Sequence, residues 1–118
     1  MNVVLLRGRL SRAPQRRALP SGDELVGYDV TVRRPGQPAE SVPVAWFDAP
    51  ASATELAADD EVVVVGRVRR RFFRRGGATQ SRTEVVAERV VPCRQRVRVG
   101  RMLSDALALA ADQARGGD

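Results

Sequence analysis

The chain reads as a small all-β barrel followed by one C-terminal helix. Apolar residues alternate with polar ones in five separate stretches, at the period of a strand. Turn-forming clusters rich in Gly, Pro and Asp separate those stretches. Only one segment, close to the C-terminus, keeps apolar residues at helical spacing over several turns. A length of 118 residues fits one domain with a modest core.

The first strand is expected from Asn2 to Leu10. Val3-Val4-Leu5-Leu6 is apolar on both faces, and the strand turns polar at Arg7 and Arg9. Gly8 inside it points to a bulge or a close backbone approach. Ser11 to Pro20 is a polar, arginine-bearing connection that ends in the turn signal Pro20-Ser21-Gly22-Asp23. Leu25 to Arg33 alternates, with Val26, Tyr28, Val30 and Val32 on one face and Asp29, Thr31 and Arg33 on the other. Arg34-Pro35-Gly36-Gln37-Pro38 forms a hairpin loop. The third strand, Glu40 to Asp48, sets Val42, Val44 and Trp46 on one face and Ser41, Pro43, Ala45 and Phe47 on the other. Ala51 to Ala58 is a short helix, with Ser52 and Glu55 at capping-box spacing and Leu56 as its main core contact. Asp59-Asp60 ends it. The fourth strand starts at Glu61, runs through Val62 to Val65 and continues into an arginine-rich stretch. Gly76-Gly77 turns the chain back into a fifth strand, Ser81 to Val91, which Pro92 interrupts.

Three strands, a short helix and two further strands is the order of a five-stranded OB-fold barrel, with the helix between strands 3 and 4. Closure removes free sheet edges. The barrel is assigned to residues 1–91. In residues 92–118, Arg94, Arg96, Arg98 and Arg101 alternate with Val97 and Val99, as a sheet extension or a basic arm. Met102 to Arg115 is the C-terminal helix, with Leu103, Ala106, Leu107, Ala110 and Ala114 on one face. Asp105 early and Arg115 late suit the helix dipole, and Gly116-Gly117 stops the helix. Its apolar face is expected to pack on the barrel or on a neighbouring subunit.

Lys and Arg total 20 against 14 acids, a formal charge of +6, and every basic residue is arginine. That balance attracts polyanions, nucleic acid before an anionic membrane. With no histidine, there is no His general base and no His metal ligand. With no lysine, there is no phosphate-loop lysine and no Schiff base. Cys93 is alone, so neither a disulfide framework nor a zinc cluster forms, and a lone thiol fits a reducing cytoplasm. Asp59-Asp60-Glu61 is explained by a helix-to-strand turn. No catalytic residue, metal or cofactor is assigned. No apolar run reaches membrane-spanning length, and the N-terminus lacks a signal-peptide pattern.

The stretch Gly66 to Gly77 packs six arginines and two phenylalanines into twelve residues. It continues the fourth strand from the core into solvent. Alternation puts Arg67, Arg69, Arg71, Phe73 and Arg75 on one face. Guanidiniums meet phosphates and rings stack on bases, so this face suits a strand of nucleic acid. A solvated hairpin arm is the competing reading of such a charge run.

These residues resemble the bacterial single-stranded DNA-binding protein family. Met1-Asn2-Val3-Val4-Leu5-Leu6-Arg7-Gly8-Arg9-Leu10 is similar to the family's opening, where Asn precedes an apolar run and Gly-x-Leu. Pro14, Arg17 and Pro20-Ser21-Gly22 match the next connection and turn. Glu40 to Phe47 matches its third strand, Glu61 to Phe73 its Gly-x-Leu-Arg-x-Arg-x-Trp strand, and Arg82-Thr83-Glu84-Val85-Val86 its Tyr-Thr-Thr-Glu-Val-Val ending. The resemblance covers residues 1 to about 91. It implies an OB-fold that holds single-stranded DNA without reading its sequence, as a homo-oligomer (tetramer or dimer), in the cytoplasm and on the nucleoid, serving replication, repair or recombination. Carried over by position, Arg69 and Arg71 meet phosphate, while Phe73 and Phe47 take the places of stacking rings. Arg67, Arg75, Arg9, Arg17 and Arg33 complete the expected surface, and Trp46, on the opposite face from Phe47, belongs to the core.

The chain departs from the family where Ser41 replaces a stacking tryptophan, Pro43 replaces a basic residue, and Arg33-Arg34-Pro35-Gly36 lacks a loop tryptophan. At about 1–3 kcal/mol per stacked base, two lost rings remove roughly 2–6 kcal/mol at fixed geometry. The acidic tip through which the family recruits other proteins is missing from Gly116-Gly117-Asp118, so no partner is expected by that route. Two other functions compete: an assembly module with a decayed DNA face and the C-terminal helix as its contact, and an RNA binder.

Overall fold

A computed structural model describes residues 1–116. Six strands appear in chain order: β1 (Val4–Leu10), β2 (Gln15–Ala18), β3 (Glu24–Val32), β4 (Glu40–Phe47), β5 (Glu61–Arg75) and β6 (Ala78–Pro92). Helix α1 (Arg96–Arg115) follows. The sheet order is β1-β5-β6-β4-β3-β2, and β1 also pairs with β3, so five strands close into a ring. Its one parallel contact joins β4 to β6, at Val44↔Val85 and Ala45↔Val86. This is the expected OB-fold barrel. Strand β2 is an addition outside the ring, pairing Gln15–Ala18 with the first half of β3 in a segment expected to be a plain connection. All four of its residues are exposed, so no buried face marks it in the sequence.

Inward-facing residues of the ring form the core. Leu10, Val26, Val30, Val62 and Val64 are fully buried there, with Tyr28, Val44, Val85 and Val90 around them, and Trp46 packs against the cluster. The short helix between β4 and β5 is a single 3-10 turn, Ala51–Thr54. Ser52 and Glu55 form no capping box: the Glu55 N–H donates to the Ser52 carbonyl. Asp60 accepts the Ala57 N–H at 2.9 Å, and Asp59 adopts a positive φ of 73°, which together stop the helix early. The turn still supplies Ala53 and Leu56 to the core. The buried Tyr28 hydroxyl donates to the Ala53 carbonyl at 2.8 Å. Burial pushes that phenol well above its ordinary value, against a smaller downward pull from Arg16.

A second apolar layer lies outside the ring. Val63, Val65 and Val91 meet Met102 and Ala106 of α1, with Cys93, Val99 and Leu103 at the margin. The helix begins at Arg96, six residues before the expected Met102, so residues 96–101 are neither sheet nor arm. Val99, Met102, Leu103 and Ala106 stand at i, i+3, i+4 and i+7, and this stripe outweighs the local Arg-Val alternation. Val97 is 74% exposed and Leu107 61%, so Leu107 is not part of the packed face. Arg115 ends the helix beside Gly116, and Gly117 of the expected stop lies outside the described residues.

The β5–β6 ribbon pairs Val62↔Pro92 at its base and Arg75↔Ala78 at its tip, where Gly76 and Gly77 take positive φ in a two-residue turn. The register shifts between Val65↔Arg89 and Gly66↔Ala87, leaving Glu88 as a bulge. A Cβ on Gly66 would stand 2.1 Å from the Val86 carbonyl oxygen, so only glycine fits beside the bulge. At Gly8, where β1 passes from β5 to β3, a Cβ would stand 2.4 Å from the Thr31 carbonyl oxygen. This is the expected close approach. Gly100, inside α1, has nothing within 4 Å of the same added atom. We therefore expect opposite signs in guanidinium denaturation. Gly66→Ala lowers stability by about 1–3 kcal/mol. Gly100→Ala raises it by about 0.5–1 kcal/mol.

Candidate nucleic-acid interface

One outer face collects most of the expected site. Register brings Arg67 beside Val86, Arg69 beside Glu84, Arg71 beside Arg82 and Phe73 beside Gln80 across the β5–β6 ribbon. Ala45 of β4 adjoins Val86, which adds Pro43 and Phe47 to that face. Gly27 and Asp29 of β3 lie opposite Ala45 and Pro43, and β2 extends the face with Gln15 and Arg17.

At its centre stands Glu84, the one buried charged side chain among the described residues, at 5% exposure. Its Oε2 accepts from Arg69 Nε at 3.1 Å and Arg69 Nη2 at 2.9 Å. Its Oε1 lies 3.6 Å from Arg71 Nε, close enough for Coulombic pairing and too far for a hydrogen bond. Arg71 Nε is thus a buried donor without a hydrogen-bond partner. Each guanidinium also lies over a ring: Arg69 is 5.0 Å from the Phe47 centroid, and Arg71 is 5.8 Å from that of Phe73. One carboxylate thus holds two arginines in place, and the arginines cover the two expected stacking rings.

Beside this cluster a cleft of about 70 Å³ is lined by Arg12, Arg17, Arg71 and Arg82, with Gly27, Pro43 and Glu84 among its walls. Arg12 is held by Asp29 at 2.6 Å. Gly27 has no side chain to compete with Arg17, whose Nη2 would lie 3.3 Å from a Cβ there. Arg71 and Arg82 face each other directly across the ribbon, an arrangement of like charges that destabilises a bare sheet.

The other expected residues lie apart. Arg75 is exposed at the tip of the ribbon. Arg67 shares the face of Arg69 but lines a groove beside Met102 and Ala106 of α1. Arg9 and Arg33 line an open groove along the β1–β3 seam, away from Phe47 and Phe73. There Arg9 donates to Glu61 at 3.0 Å and to the Asp59 carbonyl at 2.9 Å, tying β1 to the start of β5. Glu61 also accepts from Arg7 at 3.1 Å, which raises that guanidinium above its ordinary value. Glu84, Arg12 and Arg82 are absent from the sequence-derived site. Their signal was faint: Glu84 lies two residues beyond Arg82, on the same strand face, opposite an arginine-rich partner.

Aromatic rings beside guanidiniums on the outer face of an OB-fold are the kind of surface on which such barrels hold nucleic acid. Residues 1–93 match the model of the Single-strand binding protein family, and the chain belongs to that family. It is 32% identical over 100 residues to a single-stranded DNA-binding protein of Deinococcus radiodurans, across 76% of this chain and 33% of that protein. The chain thus spans about a third of the length of that relative. No helix among the described residues is long and apolar enough to cross a membrane.

Glu84→Gln keeps the shape of the side chain and removes its charge. It should cost about 1–3 kcal/mol in chemical denaturation, the range for a lost hydrogen bond to a charged group. An unchanged midpoint would mean that ring stacking alone holds Arg69 and Arg71.

Proposed function

We propose that this chain binds single-stranded DNA without sequence preference, along the outer face that joins Phe47 and Phe73 to the arginine cleft. The observation that carries the reading is the cleft itself, lined by Arg12, Arg17, Arg71 and Arg82, where Arg71 and Arg82 oppose each other directly. A phosphate seated in the cleft relieves the repulsion and accepts from the exposed part of the Arg71 guanidinium, whose side chain is 37% exposed, and from Arg82. The Phe47–Arg69 and Phe73–Arg71 pairs serve as stacking platforms, since bases stack on guanidinium planes as well as on rings. Glu84 orients both guanidiniums before DNA arrives, which reduces the ordering cost of binding. Arg17, Arg71, Arg75 and Arg82 are the assigned phosphate contacts. No bond is made or broken. Such binding serves replication, repair or recombination in the cytoplasm, wherever single strands arise.

The reading also takes the chain to be a homo-oligomer, a dimer or a tetramer. Val97 and Leu107, exposed on α1, provide apolar surface for that contact. Light scattering should give a mass at least twice that of one chain, and a monomer at all concentrations would remove this part of the proposal.

Binding itself is tested by fluorescence anisotropy of a labelled thirty-odd-base oligo-dT at several salt concentrations. With about four phosphates engaged, the log–log slope of affinity against salt should be near −3. Phe73→Ala should cost about 1–3 kcal/mol. A flat salt response rules out the phosphate contacts, and wild-type affinity in Phe73→Ala rules out the stacking role.

A further inference from the structure

The β5–β6 ribbon extends past the barrel as a two-stranded arm with two faces, and the proposed site uses only one of them. Asn2 marks where the arm begins. Its side-chain amide donates to the Val68 carbonyl at 2.8 Å and accepts from the Val68 N–H at 2.9 Å, extending the β1–β5 ladder by one step and ending it there. Beyond Val68 no strand among the described residues covers the edge of β5. Backbone groups alternate sides along an antiparallel strand, so Arg70, Phe72 and Arg74 direct theirs to that open edge, as Val68 does.

The second face of the arm carries Val68, Arg70, Phe72 and Arg74, opposite Val85, Thr83, Ser81 and Thr79. Phe72 is 67% exposed and Val68 43%. No acid lies on this face of the arm, and neither Arg70 nor Arg74 forms an ion pair among the described residues. Arg74 is turned to the tip, donating to the Gly77 carbonyl at 3.0 Å. The contrast with the first face is one of charge: there Glu84 holds two guanidiniums, while here the guanidiniums that flank the ring are unneutralised. A ring with a free cation two residues to either side, beside a row of hydroxyls, has the chemistry for a phosphate–base–phosphate run.

We propose that this second face, Arg70–Phe72–Arg74, is a further single-stranded DNA contact, so that the arm holds DNA on both of its faces. The inference rests on the binding reading above and extends it to residues outside that site. Charge complementarity selects the occupant. A second copy of the chain pairing along the same edge would bring two sets of arginines together, the charge arrangement that guards sheet edges against such pairing. A polyanion meets no such barrier.

The test uses the full chain and the labelled oligo-dT. Phe72→Ala should weaken binding roughly 5- to 150-fold. The double variant Arg70→Ala/Arg74→Ala should make the salt slope shallower by about 1.4. Phe72 is largely exposed, so the unfolding midpoint of Phe72→Ala should match wild type and separate binding from folding. If wild type and Phe72→Ala bind alike while Phe73→Ala is impaired, DNA uses one face only and this inference falls while the functional reading stands. If Phe72→Ala lowers the solution mass and leaves affinity per chain unchanged, the face is a protein contact and the inference is overturned. If wild type does not bind, both fall together.

Discussion

The bulge at Glu88 allows one ribbon to do two jobs. Below it, the outer face of β6 presents Arg89 and Val91, and Val91 packs with Val63, Val65 and Met102. Above it, the outer face presents Glu84 and Val86, while Val85 and Ala87 turn into the core. Without the extra residue, one of these two sets would point to the wrong side, because a one-residue shift reverses every side chain on a strand. The contact of Gly66 with the Val86 carbonyl fixes where the shift occurs. Helix α1 depends on one half of the ribbon, and the Glu84 cluster depends on the other.

The cluster costs stability as well as providing it. Placing a carboxylate at 5% exposure carries a desolvation penalty, offset here by two hydrogen bonds from Arg69 and by the nearby charge of Arg71. Two guanidiniums against one carboxylate leave one net positive charge, to which the facing Arg82 adds another. Apolar residues would fill this space at less electrostatic cost, and would carry neither excess charge nor fixed guanidinium planes. The arrangement is more readily understood as surface prepared for an anion than as a device for stability.

Much of the barrel was legible because its strands are half-buried and alternate cleanly. Leu25 to Arg33 and Glu40 to Asp48 fall within a residue or so of β3 and β4. Strand β2 was not, because Gln15–Ala18 bury nothing and only pairing to β3 defines them. The start of α1 was obscured by competition between two periods: Val97 and Val99 alternate as in a strand, while Val99, Met102 and Ala106 repeat as in a helix, and the second set has a surface to cover. At the site, alternation grouped Arg69, Arg71 and Phe73 correctly. It could not show that a glutamate from the neighbouring strand holds both arginines, because cross-strand register is decided by a bulge that composition does not mark. Arg9 and Arg33 fell to another part of the barrel for a related reason: sharing the outer side of a closed ring does not mean facing the same direction.

The number of arginines therefore overstates the charge available to a polyanion. Arg7, Arg9, Arg12, Arg69 and Arg71 all lie close to carboxylates, with separations from 2.6 to 3.6 Å. Exposed cations act over a Debye length of about 8 Å at physiological salt, and each phosphate contact weakens as salt rises. Stacking on a ring carries no such dependence. With tryptophan positions of the family pattern filled by Ser41 and by the loop at Arg33–Gly36, the proposed binding rests on Phe47, Phe73 and the guanidiniums over them. On the proposed reading these pairs combine both terms in one place: the ring supplies the salt-insensitive part, and the cation, held by Glu84, supplies its charge. On the same reading, losing Glu84 has two opposed effects: it makes the face more positive, and it frees the two guanidiniums that the carboxylate holds.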